Sequence, residues 1–359
     1  MRIWTMFLLI GCSGDKDTAA SGPAPAGIDW QSLDAQQAGP FFVGHRTLEH
    51  TYTAFEGDTP RTITVDIWYP TEDSSGDDAI YAYGSDALSF EDAAPAAPIH
   101  DGGYPVHLHS HGFQGWGATS SFMMRHFASH GWVAVAPNHV GNLLADHEDP
   151  LYTAHYIHKL RDLQESLDIL SDAALAGEPR LDAVVLSGHS FGASYSTWGG
   201  AGARFDAVEE TCANESMPAG GCTAAELAAF TSGSLQDDRV AAIIPMAGTV
   251  RQSFFGETGY EAVTEPVLFM SGTEDGPDSS QEQWETATQA QMLWTSLEGG
   301  CHQSFALGQC STLDVELGYT IVNTYALAFA RKHILGDDTY DSLLDATEQP
   351  WEEAEAQAR

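Results

Sequence analysis

The chain has 359 residues, of which 43% are hydrophobic and 10% aromatic, and its 51 Asp and Glu against 14 Lys and Arg give a formal net charge of −37. A chain of this length and hydrophobicity can bury one sizeable core. Its negative surface repels anionic polymers, which excludes nucleic acid as a partner. The acidic excess is typical of a highly soluble protein and also of a protein from a salty habitat, and both interpretations stay open.

The first residues have the pattern of a bacterial export signal. Met1 and Arg2 precede an apolar run over residues 3–10, and Gly11 and Cys12 follow it. A basic start, a short apolar stretch and a small residue before cysteine are typical of a signal peptide. Residues 9–12 also resemble the lipobox, in which the cysteine becomes lipidated. We therefore expect a lipoprotein signal peptide over residues 1–11 and a membrane anchor on Cys12. Ser13 follows, which favours the outer membrane, and plain secretion is the alternative.

The two ends of the chain differ in composition from its middle. Residues 13–27 are rich in Ser, Gly, Asp, Ala and Pro, and such a composition buries little apolar surface. We expect a flexible tether over residues 12–40, a folded domain over residues 41–336, and an acidic tail over residues 337–359 that forms at most a frayed helix.

Strands and helices alternate along the middle of the chain. A period of two predicts antiparallel strands over residues 47–55 and 61–69, and residues 71–100 look like a long surface loop. The remaining predicted strands are 105–110, 132–136, 181–186, 240–246, 266–270 and 291–297, and the predicted helices are 122–130, 152–175 and 315–333. This alternation predicts an α/β fold, with helices on both faces of a mostly parallel sheet and antiparallel strands at its N-terminal end.

A five-residue motif lies where the strand over residues 181–186 ends. Gly188-His189-Ser190-Phe191-Gly192 matches the nucleophile-elbow pattern G-x-S-x-G, and small residues suited to a closely packed helix follow it. Gly188 and Gly192 leave room for the strained turn that such a serine occupies. The turn would raise the Ser190 hydroxyl above the sheet edge and aim the Phe191 amide at a developing oxyanion. We predict that Ser190 is a nucleophile.

A serine nucleophile needs a base, and the base needs an orienting acid. In a fold of this type the chain order is serine, acid, histidine. Asp275 follows the strand over residues 266–270 and is the predicted acid, with the adjacent Glu274 as its competitor. His302 lies in the loop after the last strand and is the predicted base.

The second oxyanion donor should follow the strand over residues 105–110. The segment His111-Gly112-Phe113 fits, with the Phe113 N–H beside the Phe191 N–H. Phe113, Trp116 and His189 are candidates for the substrate pocket. His107, His109 and His111 alternate and could ligate zinc, but His111 belongs to the oxyanion motif and no suitably spaced acid or cysteine is near. We therefore expect no metal and no cofactor.

Four cysteines remain once Cys12 is set aside, and four cysteines can pair in three ways. Both local pairs close short loops, which favours Cys212–Cys222 and Cys301–Cys310. The second disulfide would restrain the loop that carries His302. The first lies in residues 204–238, which interrupt the alternation of strands and helices. These residues form a small insertion after the nucleophile helix, either a cap near the site or an inert surface excursion.

Taken together, these motifs resemble those of the α/β-hydrolase superfamily. The closest branch holds platelet-activating-factor acetylhydrolases, dienelactone-hydrolase-related proteins and bacterial polyester hydrolases of the cutinase type. The resemblance covers about residues 47–333, and its motifs are residues 61–70, 109–113, 127–139, 188–192, 272–275 and 302. It implies that Phe113 and Phe191 supply the oxyanion amides. Dienelactone hydrolases proper use a cysteine where this chain has Ser190, and the insertion does not match this family.

These observations predict a serine carboxylester hydrolase that works through a Ser-His-Asp triad and an acyl-enzyme. Its expected substrates are neutral or lipid-like esters, either small molecules or polymers such as polyesters, and the expected oligomeric state is a monomer. A catalytically inactive surface protein that uses the fold as a binding module is the first alternative. An amidase or peptidase with the same triad is the second.

Overall fold

The computed structural model describes residues 27–218 and 220–359. The predicted signal peptide, Cys12 and the first part of the predicted tether lie outside these residues. Within the described ranges, no helix is both long and apolar enough to cross a membrane.

A single sheet of eleven strands organises the described chain. The strands are β1 Phe42–Tyr52, β2 Arg61–Thr71, β3 Asp78–Tyr81, β4 Gly84–Glu91, β5 Tyr104–Ser110, β6 Val133–Pro137, β7 Pro179–His189, β8 Val240–Met246, β9 Val267–Gly272, β10 Met292–Leu297 and β11 Ala354–Ala358. Their spatial order is β11-β10-β9-β8-β7-β5-β6-β2-β1-β4-β3. Neighbours from β6 to β10 pair in parallel, whereas β2 pairs antiparallel with both β6 and β1. The predicted fold class is confirmed.

Helices cover both faces of this sheet. They are α1 Ser121–Ser129, α2 Thr153–Asp168, α3 Thr197–Gly200, α4 Val208–Ala213, α5 Ala224–Thr231, α6 Gln252–Phe255, α7 Pro277–Glu285, α8 Val315–Leu335 and α9 Asp341–Leu344. The parallel strands are buried on both faces, as such sheets require. On β9, Val267 and Phe269 face the core that includes α2, whereas Leu268 and Met270 face the core formed with α1 and α8. Because helices cover the two faces of the sheet, the carboxyl ends of its parallel strands stay free to carry the candidate site.

The prediction of a long surface loop over residues 71–100 is wrong, because β3 and β4 form a hairpin there at the edge of the sheet. The ring of Tyr81 on β3 packs edge-on against His45, and its hydroxyl accepts a 2.8 Å hydrogen bond from the Trp68 indole. These partners lie on β1 and β2. The polar sequence of the hairpin carries little alternation, and tertiary contacts decide its structure.

The predictions of a flexible tether and of a frayed C-terminal helix also need correction. In the described part of the tether, the carbonyls of Gln31 and Leu33 accept hydrogen bonds of 2.9 and 2.7 Å from the buried guanidinium of Arg331. In the tail, β11 pairs antiparallel with β10, and Arg359 and Met292 exchange backbone hydrogen bonds. The tail therefore contains the short helix α9 and ends in an edge strand of the sheet, which the sequence did not predict because the pairing partner of β11 is distant in sequence.

The insertion over residues 204–238 contains α4 and α5, and the Cys212–Cys222 disulfide joins α4 to the segment that precedes α5. The buried ring of Phe230 on α5 packs against Phe254, and Phe254 in turn lies 4.4 Å from the ring of Tyr156 on α2. The Tyr156 ring contacts Phe191 at 5.2 Å. The insertion is thus packed into the domain and reaches the elbow through these aromatic rings.

Candidate active site

The turn after β7 has the geometry that the elbow motif predicts. Ser190 has a φ of 55°, in the left-handed region that non-glycine residues rarely occupy. Its N–H donates to the Met246 carbonyl at 2.9 Å, and its carbonyl accepts two 2.8 Å hydrogen bonds from the N–H and hydroxyl of Ser194. These bonds hold the strained turn, and Ser190 itself remains partly exposed.

The two motif glycines are required by close backbone approaches. A Cβ on Gly188 would lie 2.5 Å from the Gly192 carbonyl carbon, and one on Gly192 would lie 2.0 Å from the Ser110 carbonyl oxygen. Both neighbours are backbone atoms that cannot rotate away. The glycines therefore allow the end of β5, which leads into the predicted oxyanion segment, to lie directly against the elbow.

This contact predicts that Gly192→Ala destabilises the protein. We expect the free energy of unfolding to fall by about 1–3 kcal/mol, the usual cost of forcing an extra methyl into a packed site. Esterase activity should fall as well, because relief of the clash displaces the end of β5. Urea denaturation followed by circular dichroism measures the stability. Gly84→Ala is the control, because a Cβ there meets no atom within 4 Å. Equal stability of the two variants would contradict this account of the elbow.

The structure brings the predicted acid and base together. His302 Nδ1 lies 2.9 and 2.8 Å from the two carboxylate oxygens of Asp275. The His302 side chain is 40% exposed, so its ring faces solvent at the site. Glu274, the competing acid, is exposed and its carboxylate makes no hydrogen bond to His302 within the described residues. Asp275 is thus the carboxylate that can orient the imidazole.

Two hydrogen bonds join the loops that carry these two side chains. The Glu274 N–H donates to the Gly300 carbonyl at 2.9 Å, and the Gly299 N–H donates to the Thr273 hydroxyl at 2.8 Å. The loops follow β9 and β10, which are parallel neighbours. The carboxyl ends of adjacent parallel strands lie side by side, and this places an acid after β9 within reach of a histidine after β10.

His302 and Ser190 lie near each other but are not hydrogen-bonded. The ring of His189, which directly precedes Ser190, has its centroid 4.7 Å from that of His302. Within the described residues, the Ser190 hydroxyl makes no hydrogen bond to His302. Such bonds are often long in free enzymes and tighten when substrate binds.

His189 does not line an open pocket, in contrast to its predicted role. Its side chain is buried, and its Nε2 donates a 2.9 Å hydrogen bond to the His302 carbonyl. Burial, followed by the neighbouring His302, lowers the pKa of His189 to about 3, so the ring is neutral near physiological pH. His189 instead connects the elbow to the loop of the predicted base.

Two backbone amides are available where the predicted oxyanion would form. In the part of the chain that the structure describes, neither the Phe113 N–H nor the Phe191 N–H donates a hydrogen bond to the protein. A Cβ on Gly112 would lie 3.0 Å from the Ser190 Cβ, so the segment that leads to Phe113 adjoins the nucleophile. Unpaired amides beside a strained serine are what oxyanion stabilisation requires.

The two aromatic residues predicted to line the pocket each pack against another aromatic or histidine ring. Phe113 is 39% exposed, and its ring packs edge-on against His147 at 5.4 Å. Trp116 is half-buried, with its ring centroid 5.0 Å from that of Tyr83. Tyr83 follows β3 in the hairpin that the sequence did not predict, so that hairpin contacts one of the predicted pocket residues.

Both disulfides pair as predicted. The Cα atoms are 5.1 Å apart in Cys212–Cys222 and 5.6 Å apart in Cys301–Cys310. The second bond closes a loop that begins one residue before His302. It therefore restrains the backbone from which the imidazole projects.

Removal of the second disulfide should affect both stability and activity. For Cys301→Ser/Cys310→Ser we expect a loss of roughly 2–3 kcal/mol in the free energy of unfolding, from loop-closure entropy. We also expect a lower kcat, because the freed loop misplaces His302. Cys212→Ser/Cys222→Ser is the matched control, because it opens a loop of similar length away from His302. Loss of stability without any difference in kcat between the two variants would contradict the proposed restraint.

The alternating histidines of β5 are buried and neutral. His107 Nε2 and His109 Nδ1 each lie 2.7 Å from the Ser187 hydroxyl, and burial lowers the pKa of His107 to about 3. His111 Nδ1 donates to the Gly112 carbonyl at 2.7 Å, and its Nε2 accepts the His139 N–H at 3.0 Å. Over residues 27–218 and 220–359, no group of three or more His, Cys, Asp or Glu side chains could hold a metal ion.

Sequence reasoning missed a set of polar residues beneath the site, most of which are buried. The set consists of Lys159 and Asp162 on α2, His139 after β6, and Arg61 and Tyr52 on the N-terminal strands. One signal was present. Lys159 shares the apolar face of a predicted helix with Tyr156, Leu160 and Leu163. A charged residue is unexpected on such a face.

Strand order, elbow and loop positions define the α/β-hydrolase fold. The model of the chlorophyllase family matches residues 93–197, a stretch that contains Phe113 and Ser190 but ends before Asp275 and His302. Among solved structures, a ferulic acid esterase from Streptomyces cinnamoneus is similar at a TM-score of 0.62 and 20% identity, over 91% of this chain and 98% of that chain. No curated protein matches the sequence.

Proposed function

We propose that the protein is a serine hydrolase of carboxylic esters, with Ser190 as nucleophile, His302 as base and Asp275 as the orienting acid. The observation that carries the proposal is the double contact of His302 Nδ1 with the Asp275 carboxylate, in a loop that adjoins the elbow of Ser190. One similar protein of known structure is a ferulic acid esterase, which supports the same class of reaction.

The geometry supports a two-step reaction. Ser190 Oγ attacks the ester carbonyl carbon while His302 Nε2 takes its proton, and the carbonyl electron pair moves onto oxygen. The amides of Phe113 and Phe191 stabilise that oxyanion. Its collapse breaks the bond to the alcohol oxygen, which receives the proton from His302. Water then attacks the acyl-enzyme with the same assistance, which releases the acid and restores Ser190.

The surroundings favour neutral esters. The formal net charge of −37 disfavours polyanionic substrates. The exposed Phe113 ring provides an apolar surface beside the predicted oxyanion donors. Neutral or lipid-like esters, as small molecules or as part of a polymer, suit such a surface.

The test is hydrolysis of p-nitrophenyl acetate by the purified protein, combined with labelling by a fluorophosphonate probe. We expect turnover above background, and mass spectrometry of the labelled protein should place the adduct on the peptide that contains Ser190. Absence of both turnover and label, in protein with an intact circular dichroism spectrum, would refute the proposal. Matched anilide substrates in the same assay separate an esterase from an amidase.

We further propose that the protein is exported and anchored through Cys12. Two disulfides in the domain are consistent with an oxidising compartment. In a bacterial host we expect the wild-type protein to incorporate radiolabelled palmitate and to partition into detergent. Cys12→Ser should do neither while keeping its esterase activity. Lipid incorporation by the Cys12→Ser variant would contradict this proposal.

A further inference from the structure

A lysine lies buried directly beneath the candidate site. Lys159 on α2 is 1% exposed, and its Nζ donates a 2.8 Å hydrogen bond to the His111 carbonyl. The same Nζ lies 4.9 Å from the centroid of the Phe191 ring. A buried amine is costly unless its partners compensate for lost hydration. In this case a carbonyl and an aromatic face serve as the partners.

Both partners belong to the segments that supply the proposed oxyanion donors. The His111 carbonyl lies two residues before the Phe113 amide, and Phe191 supplies the other amide from its own backbone. One side chain therefore contacts both segments.

The surrounding polar groups hold the same loop in place. His111 donates to the Gly112 carbonyl through Nδ1 and accepts the His139 N–H at Nε2. The His139 ring bridges the Ser110 hydroxyl, at 3.0 Å, and the Asp162 carboxylate, at 2.8 Å.

Asp162 is buried one turn after Lys159, and it also binds Arg61 at 3.2 Å and the Tyr52 hydroxyl. Burial is the main cause that lowers the pKa of Lys159, and it also raises the pKa of Asp162. Most polar side chains around the loop of residues 111–113 therefore have a hydrogen-bond or ion-pair partner.

We propose that Lys159 is a positioning residue for the oxyanion hole, which aligns the Phe113 and Phe191 amides by binding the His111 carbonyl and the Phe191 ring. This inference rests on the proposed esterase function. Oxyanion donors act only when they lie at hydrogen-bond distance from the oxygen of the transition state. Loss of the support from Lys159 should therefore impair the chemical step more than substrate binding.

The variant that tests this role is Lys159→Met, which keeps the length of the side chain and removes the amine. With p-nitrophenyl acetate we expect kcat to fall about 10²-fold, the usual effect of a misplacement of about 1 Å, while KM changes little. The inhibition constant of phenylboronic acid should rise by a similar factor, because its anionic tetrahedral adduct on Ser190 uses the same amides. Lys332→Met is the control, because Lys332 is a partly exposed lysine on α8, remote from α2.

The variant Lys159→Gln keeps a donor nitrogen at a shorter reach, and we expect its kcat to lie between those of wild type and Lys159→Met. It also keeps the test interpretable if the methionine variant folds poorly. A folded Lys159 variant with unchanged kcat and unchanged boronic acid affinity would overturn the inference and leave the esterase proposal intact. A wild-type protein that hydrolyses no ester and takes no fluorophosphonate label would refute the proposed function itself.

Discussion

Replacement of Ser190 by alanine is expected to lower kcat for p-nitrophenyl acetate by about 10⁶-fold, the scale seen when the nucleophile of a serine hydrolase is removed. Alanine and serine have similar strain at a φ of 55°, so the turn should persist and stability should change little. The variant would lose the attacking oxygen and keep the Phe113 and Phe191 amides. Measurement requires a long initial-rate assay with concentrated, freshly purified protein.

Two further variants make this result decisive. Ser232 is an exposed serine at the end of α5, and the control variant Ser232→Ala should retain wild-type activity. The double variant Ser190→Ala/His302→Ala should lose little beyond the single one, because the two residues act as a unit. Substantial turnover by folded Ser190→Ala would mean that the hydrolysis uses another group.

Replacement of Asp275 by asparagine should lower kcat by about 10⁴-fold. The carboxylate accepts the Nδ1 proton of His302, which leaves Nε2 free to receive the proton from Ser190. An asparagine amide can donate to Nδ1 and so favours the wrong tautomer. The shape of the side chain is retained, so substrate binding, as judged by KM, should change little.

The adjacent acid provides the matched control. Glu274 is exposed, and Glu274→Gln removes the same charge one residue away. We expect its kcat and the pH dependence of its kcat to match those of wild type. A large loss for Glu274→Gln together with a small loss for Asp275→Asn would reverse the assignment of the acid.

The strands that form the centre of the sheet could be predicted from sequence. The prediction for β8 has the bounds that the structure shows, and those for β9 and β10 differ by a residue or two at their ends. Buried parallel strands are short apolar runs bounded by turn residues, so their signal is local. The β3–β4 hairpin and β11 were missed because both are edge elements of mixed polarity. Their stability comes from partners such as His45 and Met292 that are far away in sequence.

In the candidate site, too, some features could be predicted from the sequence and others required the tertiary structure. Ser190, Asp275 and His302 follow from a turn motif and from the order of strands, because strand ends in a parallel sheet meet at one edge. The choice of Asp275 over Glu274 needed the direction of two adjacent side chains. The role of His189 needed the position of the His302 carbonyl. Neither can be inferred from spacing along the chain.

By itself, the sequence determined the class of fold and the elbow motif at Ser190, and it favoured the two disulfide pairs that form, because each depends on local turn chemistry, periodicity or short loops. The tertiary structure alone decided that β11 extends the sheet and that Lys159 contacts both the His111 carbonyl and the Phe191 ring. Those features are contacts between residues that are distant in sequence. Their free energy depends on burial and on hydrogen-bond partners, which exist only when the whole chain is folded.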